Sequence, residues 1–326
     1  MLPACGYTAA MNALYLTEAD VTALLDMRMA IDVVEEAFRR LAAGEASNVP
    51  RQRAKAPGVV LHSMIAVAPY LGLVGWKCYP TTKQGARFLL GLYDQAGELT
   101  ALVEADRLGQ LRTGATTAVA AEWMAAPQAG EAGMFGAGHQ AETQLAALAA
   151  VRPLKRAFVY SRSEEKRLAF AQRMSRQLAI EVVPVDRPQE AAQDLPIVIT
   201  ATTSAVPVFD GHDLAEGALV AAVGSNWLTR AEIDAVVVRR ADHIVCDSVE
   251  ACRHEAGDFV DALQKGIFDW SRAVDLADVV AGRAMARSRP EKITLFKSVG
   301  LAIEDVALGG KLIELARRAG VGRELS

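Results

Sequence analysis

Gly136-Ala137-Gly138-His139-Gln140-Ala141 sets two glycines and a small residue at the spacing G-x-G-x-x-A. An apolar run, Ala132 to Phe135, precedes it, and the helical pattern Ala141, Leu145, Leu148, Ala149 follows. In that setting the first glycine permits a tight turn and the second lets backbone approach a pyrophosphate at the positive end of a helix. Ala141 is small enough for close helix packing. About twenty residues on, the apolar run Ala157 to Tyr160 ends in Ser161-Arg162-Ser163, where a dinucleotide fold often places an acid against the adenosine ribose. An acid would repel a 2′-phosphate, whereas two hydroxyls and a guanidinium fork would receive one. The expected coenzyme is therefore NADP(H), with NAD(H) as the alternative. The competing reading makes Arg162 a surface residue paired with Glu164 or Glu165. Lys166 and Arg167 add positive charge nearby.

A second group of residues suits a carboxylate. Lys77 stands in VGWKCY, Arg112 in QLRTGATTA, and Arg51 and Arg53 in VPRQRAK, each within mostly apolar text. Arginine offers a bidentate fork and lysine a point charge. The plain alternative is that these cations face solvent, as Lys77 would if Trp76 and Cys78 pointed inward.

These groups need elements to hold them. Thr17 and Asp20 form a capping-box-like helix start, and Ala30, Val33, Val34, Ala37, Phe38 and Leu41 make a helical apolar face that ends at Gly44. The stretches 58–68, 72–79 and 86–105 read as strands, the last folded about residues 95–98, which predicts an antiparallel sheet. From about residue 131 strands alternate with helices or short connectors: Ala132 to Phe135, Ala157 to Tyr160, Ile180 to Val183, Ile197 to Thr200, Leu219 to Val223 and His243 to Cys246. That is the pattern of a doubly wound α/β domain. The final run ITLFKSVGLAIEDVALGGKLIELARRAG reads as a strand end, a glycine turn and a long helix that returns to the first domain, the alternating domain having its strands already.

Composition narrows the function classes. With 326 residues the chain is long enough for two domains. Thirty-five Lys+Arg against 39 Asp+Glu, with no block of like charge, argue against a nucleic-acid partner. No apolar run reaches membrane-spanning length, and the amino terminus reads as no export signal, so a cytoplasmic protein without membrane association is expected. Cys5, Cys78, Cys246 and Cys252 form no C-x-x-C pair and the five histidines are scattered, so neither a metal nor a disulfide framework is expected.

Five motifs in order, LRTGATTAVAAEWMA, GAGHQAETQL, ATTSAVPVF, AVGSNW and FKSVGLAIEDVA, resemble the ornithine cyclodeaminase and mu-crystallin family over nearly the whole chain. The resemblance implies a Rossmann domain at 116–298 inserted into an α+β substrate-binding and homodimerising domain, 1–115 plus 299–326. It implies nicotinamide-dependent chemistry at an amino or imino carbon beside a carboxylate. By position, Lys77 and Arg112 fall on the family's substrate-carboxylate residues, joined by either Arg51 or Arg53. Thr113 and the turn Gly136, Ala137, Gly138, His139, Gln140 fall by the coenzyme phosphates, with Ser161, Arg162 and Ser163 at the adenosine end. Thr202 and Thr203 border the ribose and nicotinamide, and Val223, Ser225 and Lys297 the nicotinamide pocket. Asn226 stands where cyclodeaminases carry an acid that moves protons, and an amide has no titratable proton near neutrality. The competing reading of Asn226 is a helix-capping loop residue. Lys297 stands where cyclodeaminases tend to have aspartate. Asn226 and Lys297 are therefore taken as substrate-side positions that favour an imine reductase or amino acid dehydrogenase. A cyclodeaminase-type lyase and a non-catalytic NADPH-binding protein remain as alternatives.

Overall fold

The computed structural model describes residues 13–325. Cys5 and the amino-terminal stretch that carries the export reading lie outside them. The first part contains β1 (Ala13–Leu16), α1 (Glu18–Leu24), α2 (Met27–Ala42), β2 (Ser47–Ala56), β3 (Val59–Ala68), β4 (Leu73–Thr82), β5 (Gly85–Ala86), β6 (Leu89–Asp94), β7 (Leu99–Glu104) and α3 (Asp106–Met124). The Thr17 capping box forms as expected, with Thr17 N donating to Asp20 Oδ2 at 2.9 Å and Asp20 N donating to Thr17 Oγ1 at 3.4 Å. Helix α2 buries Ala30, Ile31, Val34, Ala37 and Phe38, and Gly44 follows it at φ 72°.

The second part alternates: β8 (Glu131–Phe135), α4 (His139–Val151), β9 (Arg156–Tyr160), α5 (Glu164–Leu178), β10 (Glu181–Pro184), β11 (Ile197–Thr200), β12 (Leu219–Ala222), α6 (Ala235–Arg240), β13 (His243–Cys246), α7 (Val249–Glu255), α8 (Val260–Gln264), β14 (Ala273–Asp275), α9 (Leu276–Val280) and β15 (Thr294–Lys297). The chain closes with α10 (Ala302–Ala319) and β16 (Arg323–Leu325).

Two sheets result. The first runs β16-β1-β7-β6-β4-β3-β2, with β5 beside β4. Its pairs are antiparallel except β1 with β7. The second runs β10-β9-β8-β11-β12-β15-β13-β14, parallel throughout. β15 therefore pairs between β12 and β13 in the second sheet, a correction to the expectation that the sheet was complete before residue 294. Helix α10 returns to the first part, packing against β3, β4, β6 and α2, and β16 follows it to pair with β1. Helix α3 packs on α2 and α10 and also on α4, so one unbroken helix touches both halves. Among the described residues no helix is long and apolar enough to cross a membrane.

On the strand carrying Lys77 the solvent-facing alternative does not hold. Lys77 is 2% exposed and faces the helices, while its neighbours Trp76 and Cys78 are on the open face. Trp76 lies over Gly91 on β6, where a Cβ would come within 2.4 Å of the indole. Val49, Leu61, Ile65 and Leu89 are exposed on that same face, so the outer side of the sheet is apolar rather than polar.

Candidate active site

In the second sheet β8 is the first strand laid down, and the chain places β9 and β10 on one side of it and β11 and β12 on the other. Dinucleotides bind at such a switch point, beyond the carboxyl ends of the strands. Gly136 leaves β8 there at φ 112°, a left-handed conformation, and a Cβ on it would meet Ala201 O at 2.4 Å. Gly138, the residue before α4, has open space around its Cβ position, and no side chain caps the helix. The first amides of α4 are thus free to face an anion. Gln140 Oε1 is buried without a hydrogen-bond donor. His139 and Gly138 are exposed and Ala137 is partly so. These features fit a bound pyrophosphate.

At the end of β9, Ser163 caps α5, its Oγ accepting from Lys166 N at 3.3 Å. Arg162 is exposed and, among the described residues, forms no ion pair, so it is not tied to Glu164 or Glu165. Arg167 is buried instead, donating to Ser161 O at 3.2 Å and to the Asp186 carboxylate, and it braces the loop from beneath.

The loops after β11 and β12 are tied by an acid that motif reading passed over. Glu232, fully buried, accepts from Thr200 Oγ1 at 3.0 Å, Thr202 N at 2.6 Å, Thr202 Oγ1 at 2.7 Å and Gly224 N at 2.7 Å. Thr202 therefore spends its hydroxyl on the fold, while Thr203 is exposed beside it. Val223 N donates to Thr200 O at 2.9 Å. Lys297 is fully buried, its Nζ 2.7 Å from Asp258 Oδ2 and 2.8 Å from Ser225 O. It presents no surface to a ligand in this arrangement and instead anchors the backbone of residue 225. This corrects the expectation that Lys297 touches substrate or coenzyme. Asn226 caps no helix; its carbonyl accepts from Arg53 Nη2 at 2.8 Å.

Opposite these loops lies the cation cluster. Lys77 Nζ is 2.7 Å from Asp305 Oδ1. Arg112 Nε is 3.3 Å from that same oxygen, and Arg112 Nη1 is 2.8 Å from Glu304 Oε2. Arg51 and Arg53 both reach Glu255 Oε2, Arg53 at 2.7 Å. The two arginines differ in openness. Arg51 is sealed, donating also to Val299 O at 2.8 Å. Arg53 keeps 14% of its side chain exposed, stacks its guanidinium 4.5 Å from the Trp227 ring and bonds His62 Nδ1 at 3.2 Å. His62 in turn lies flat on Tyr79, centroids 4.3 Å apart, and Tyr79 contacts Phe88 at 4.6 Å. An aromatic wall thus borders the cations.

Four cations, Lys77, Arg112, Arg51 and Arg53, meet three carboxylates, Glu255, Glu304 and Asp305. Across these ion pairs one positive charge is left over, which favours a bound carboxylate; the buried acid Asp247 also acts on Glu304 but accepts from Gly300 N and pairs with none of the four cations. The low-dielectric surroundings also move the proton affinities. Burial lowers the Lys77 ammonium to about 8, with Asp305 opposing and Arg112 and Arg51 adding to the fall. Burial raises the Glu304 carboxyl to about 7 against the pull of Arg112. Burial, then Arg53 and Arg51, lower His62 to about 4, so its ring is neutral near pH 7.

The two half-sites share α3. Gln144 Nε2 donates to Thr113 O at 3.2 Å, and a Cβ on Gly114 would meet Thr143 O at 2.5 Å. Arg112 and Gly109 project from the other side of the helix toward Lys77 and α10. The acids Glu232, Asp247, Glu255, Asp258, Glu304 and Asp305 are missing from the motif reading. The available signal was acids inside apolar text, as in GLAIEDVALGG.

A dinucleotide turn at a parallel-sheet switch point, packed through one helix against a buried cation cluster, is the arrangement of a nicotinamide-coenzyme oxidoreductase. The chain belongs to the ornithine cyclodeaminase/mu-crystallin family, whose model matches residues 11–317. It is 34% identical over 232 residues to a Delta(1)-pyrroline-2-carboxylate reductase of Bacillus cereus, covering 71% of each chain. Among solved structures it is similar to the Thermococcus litoralis Delta(1)-pyrroline-2-carboxylate reductase in complex with NADH and L-proline, with TM-score 0.91 and 32% identity, covering 96% of this chain and 100% of that one. An archaeal alanine dehydrogenase dimer with bound NAD matches at TM-score 0.91 and 29% identity, covering 96% of this chain and 99% of that one.

Proposed function

We propose that the protein is an NADPH-preferring reductase of an imino acid. The carboxylate of the substrate is held by Arg53, Lys77 and Arg112, and the product is the corresponding amino acid. The observation that carries this reading is the surplus positive charge of the buried cluster, joined through α3 to the dinucleotide turn. The bound coenzyme supplies a hydride to the imine carbon. The chain's own residues do the rest. Arg112 and Arg53 orient the carboxylate, the wall of His62, Tyr79 and Phe88 excludes water from one side, and Lys77 delivers a proton to the imine nitrogen. A lysine that titrates near 8 is suited to that transfer, since it is mostly charged at neutral pH yet parts with its proton readily. Asn226 in place of an acid weighs against ammonia-releasing ring closure.

The coenzyme preference rests on Arg162, exposed and, among the described residues, without an ion pair, between two serines at the end of β9. The division at 115/116 and 298/299 belongs to the same reading, with the first part also forming a homodimer through the open apolar sheet face of Val49, Leu61, Ile65 and Leu89. The test is NADPH and NADH oxidation with pyrroline-2-carboxylate, piperideine-2-carboxylate, and 2-oxo acids mixed with ammonia or methylamine, run beside an ammonia assay with L-ornithine. Imine-dependent NADPH oxidation supports the reading. Ammonia release from ornithine without net coenzyme turnover, or tight NADPH binding with no turnover of any imine, would sink it.

A further inference from the structure

The proposed proton donor, Lys77, is itself controlled from a distance. Its ammonium sits inside the first half of the molecule, and the charged groups facing it come from three elements: Asp305 on α10, Arg112 on α3 and Arg51 on β2. The Phe88 ring lies 5.0 Å from Nζ on a further side. Asp305 is the sole acid in this set, and its Oδ1 serves both cations, Lys77 Nζ at 2.7 Å and Arg112 Nε at 3.3 Å.

Space for this arrangement is provided by two absent side chains. A Cβ on Gly109 would stand 2.6 Å from Lys77 Nζ, and a Cβ on Gly300 would stand 2.6 Å from Arg112 Nη1. Gly300 is also at φ 82°, and its N–H donates to Asp247 Oδ2 at 2.7 Å, which fixes the turn into α10. Asp305 lies in the first turn of that helix, where the backbone dipole favours its charge. Its other oxygen, Oδ2, is buried with no hydrogen-bond donor, as is Oε1 of Glu304. A pair built only to join α10 to the sheet gains nothing by leaving buried lone pairs unmet.

We propose that Asp305 is a positioning residue for the reaction: one carboxylate oxygen sets Lys77 and Arg112 against each other and keeps Lys77 charged until the imine nitrogen takes its proton. This inference rests on the reading of Lys77 as proton donor. In the step, an Nζ–H bond of Lys77 breaks and an N–H bond forms on the imine nitrogen. The carbon of the same C=N bond receives the hydride that reduced nicotinamide supplies, and Lys77 is left as a neutral amine that solvent reprotonates. Asp305 neither gains nor loses a proton; its charge opposes the burial that drives Lys77 toward neutrality.

The experiment is the pH profile of kcat/KM for pyrroline-2-carboxylate with NADPH, measured on the full chain as wild type, Asp305→Asn, Asp305→Glu and Lys77→Met. Rate that needs charged Lys77 falls as pH rises through its pKa. Removing the Asp305 charge moves that falling limb to lower pH by about one unit or more. Asp305→Asn is also expected to lower kcat at least about tenfold and raise the imine KM, with the NADPH KM unchanged. Asp305→Glu keeps the charge, so its limb stays near the wild-type position while kcat falls from the altered geometry. An Asp305→Asn profile that keeps the wild-type limb, however low its rate, overturns the inference. Should that variant fail to fold, Asp305→Glu decides alone: a wild-type limb with reduced kcat supports the inference, and a displaced limb or unchanged kcat overturns it. Lys77→Met with full turnover would overturn the reading of Lys77 itself. An inactive Lys77→Met beside an unmoved Asp305→Asn limb overturns only the part assigned to Asp305.

Discussion

The two sides of α3 solve the same problem, holding an anionic ligand, by different means. Toward α4 the means is backbone: glycines at 136 and 138 and helix amides with no side-chain cap, the features a pyrophosphate would need. Toward the first sheet the means is side-chain charge, with Lys77, Arg112, Arg51 and Arg53 drawn from three elements and held by acids from α7 and α10. A backbone site tolerates water and needs little support. A buried charged site needs a partner for almost every charge, because an unmatched ion in the interior is costly. The substrate side should therefore be the more fragile under substitution and the more sensitive to pH.

Four measurements put that contrast at risk. The largest effect is expected from Lys77→Met, which should lower kcat by roughly 10²- to 10⁴-fold, the range for loss of a positioned acid or base, while NADPH affinity measured by fluorescence stays put. Equal losses of both would erase the separation between the two sides. Next comes Gly136→Val on the coenzyme side. A side chain there meets Ala201 O and must adopt a left-handed conformation, strain on the order of 1–3 kcal/mol, so the NADPH Kd should rise about tenfold or more. Imine KM at saturating NADPH should hardly change.

Smaller again is Arg162→Ala, an exposed residue whose loss should reduce the NADPH-over-NADH ratio of kcat/KM by about tenfold without altering thermal stability, one charge-assisted contact being worth about that much. A wild type that already prefers NADH would remove the basis for this prediction. The smallest effect is a slope. Glu304 titrates near 7 in the folded protein against 4.5 for the free group, so stability that is present below 4.5 is lost as pH rises through 7. Glu304→Gln lacks this titration, so melting temperature should fall less steeply with pH in the variant than in the wild type across that window.

The same contrast decides what could be read from sequence. The coenzyme turn is contiguous, with strand, glycines and helix in one stretch, and β8, β9, β11 and β13 fall within a residue of their expected limits. Lys77 was legible as a candidate, but not the direction of its side chain. Strand alternation gives two faces without saying which is covered, and here the open face carries Trp76, Ile65 and Leu61. Arg51 and Arg53 look alike in VPRQRAK, and only their surroundings separate the sealed one from the open one. The resemblance puts Lys297 by the nicotinamide pocket, whereas in the fold Asp258, nearly forty residues earlier, neutralises it beneath the loop. Partners so distant in sequence leave no local pattern to find.

Helix α3 bears on how such a protein can be re-engineered. Nineteen residues form one rod, with Arg112 on one side and Gly114 against α4 on the other, so the offset between carboxylate grip and coenzyme turn is fixed by helical geometry. A single inserted residue in that rod would turn one side by about 100° relative to the other and uncouple the half-sites together. Residues 161–163, by contrast, lie beyond the end of β9, where Ser163 Oγ accepts from Lys166 N and Ser161 O from Arg167 Nη1, both on α5. If the proposed NADPH preference rests on Arg162, a substitution in that loop changes coenzyme choice while the alignment set by α3 is left as it was.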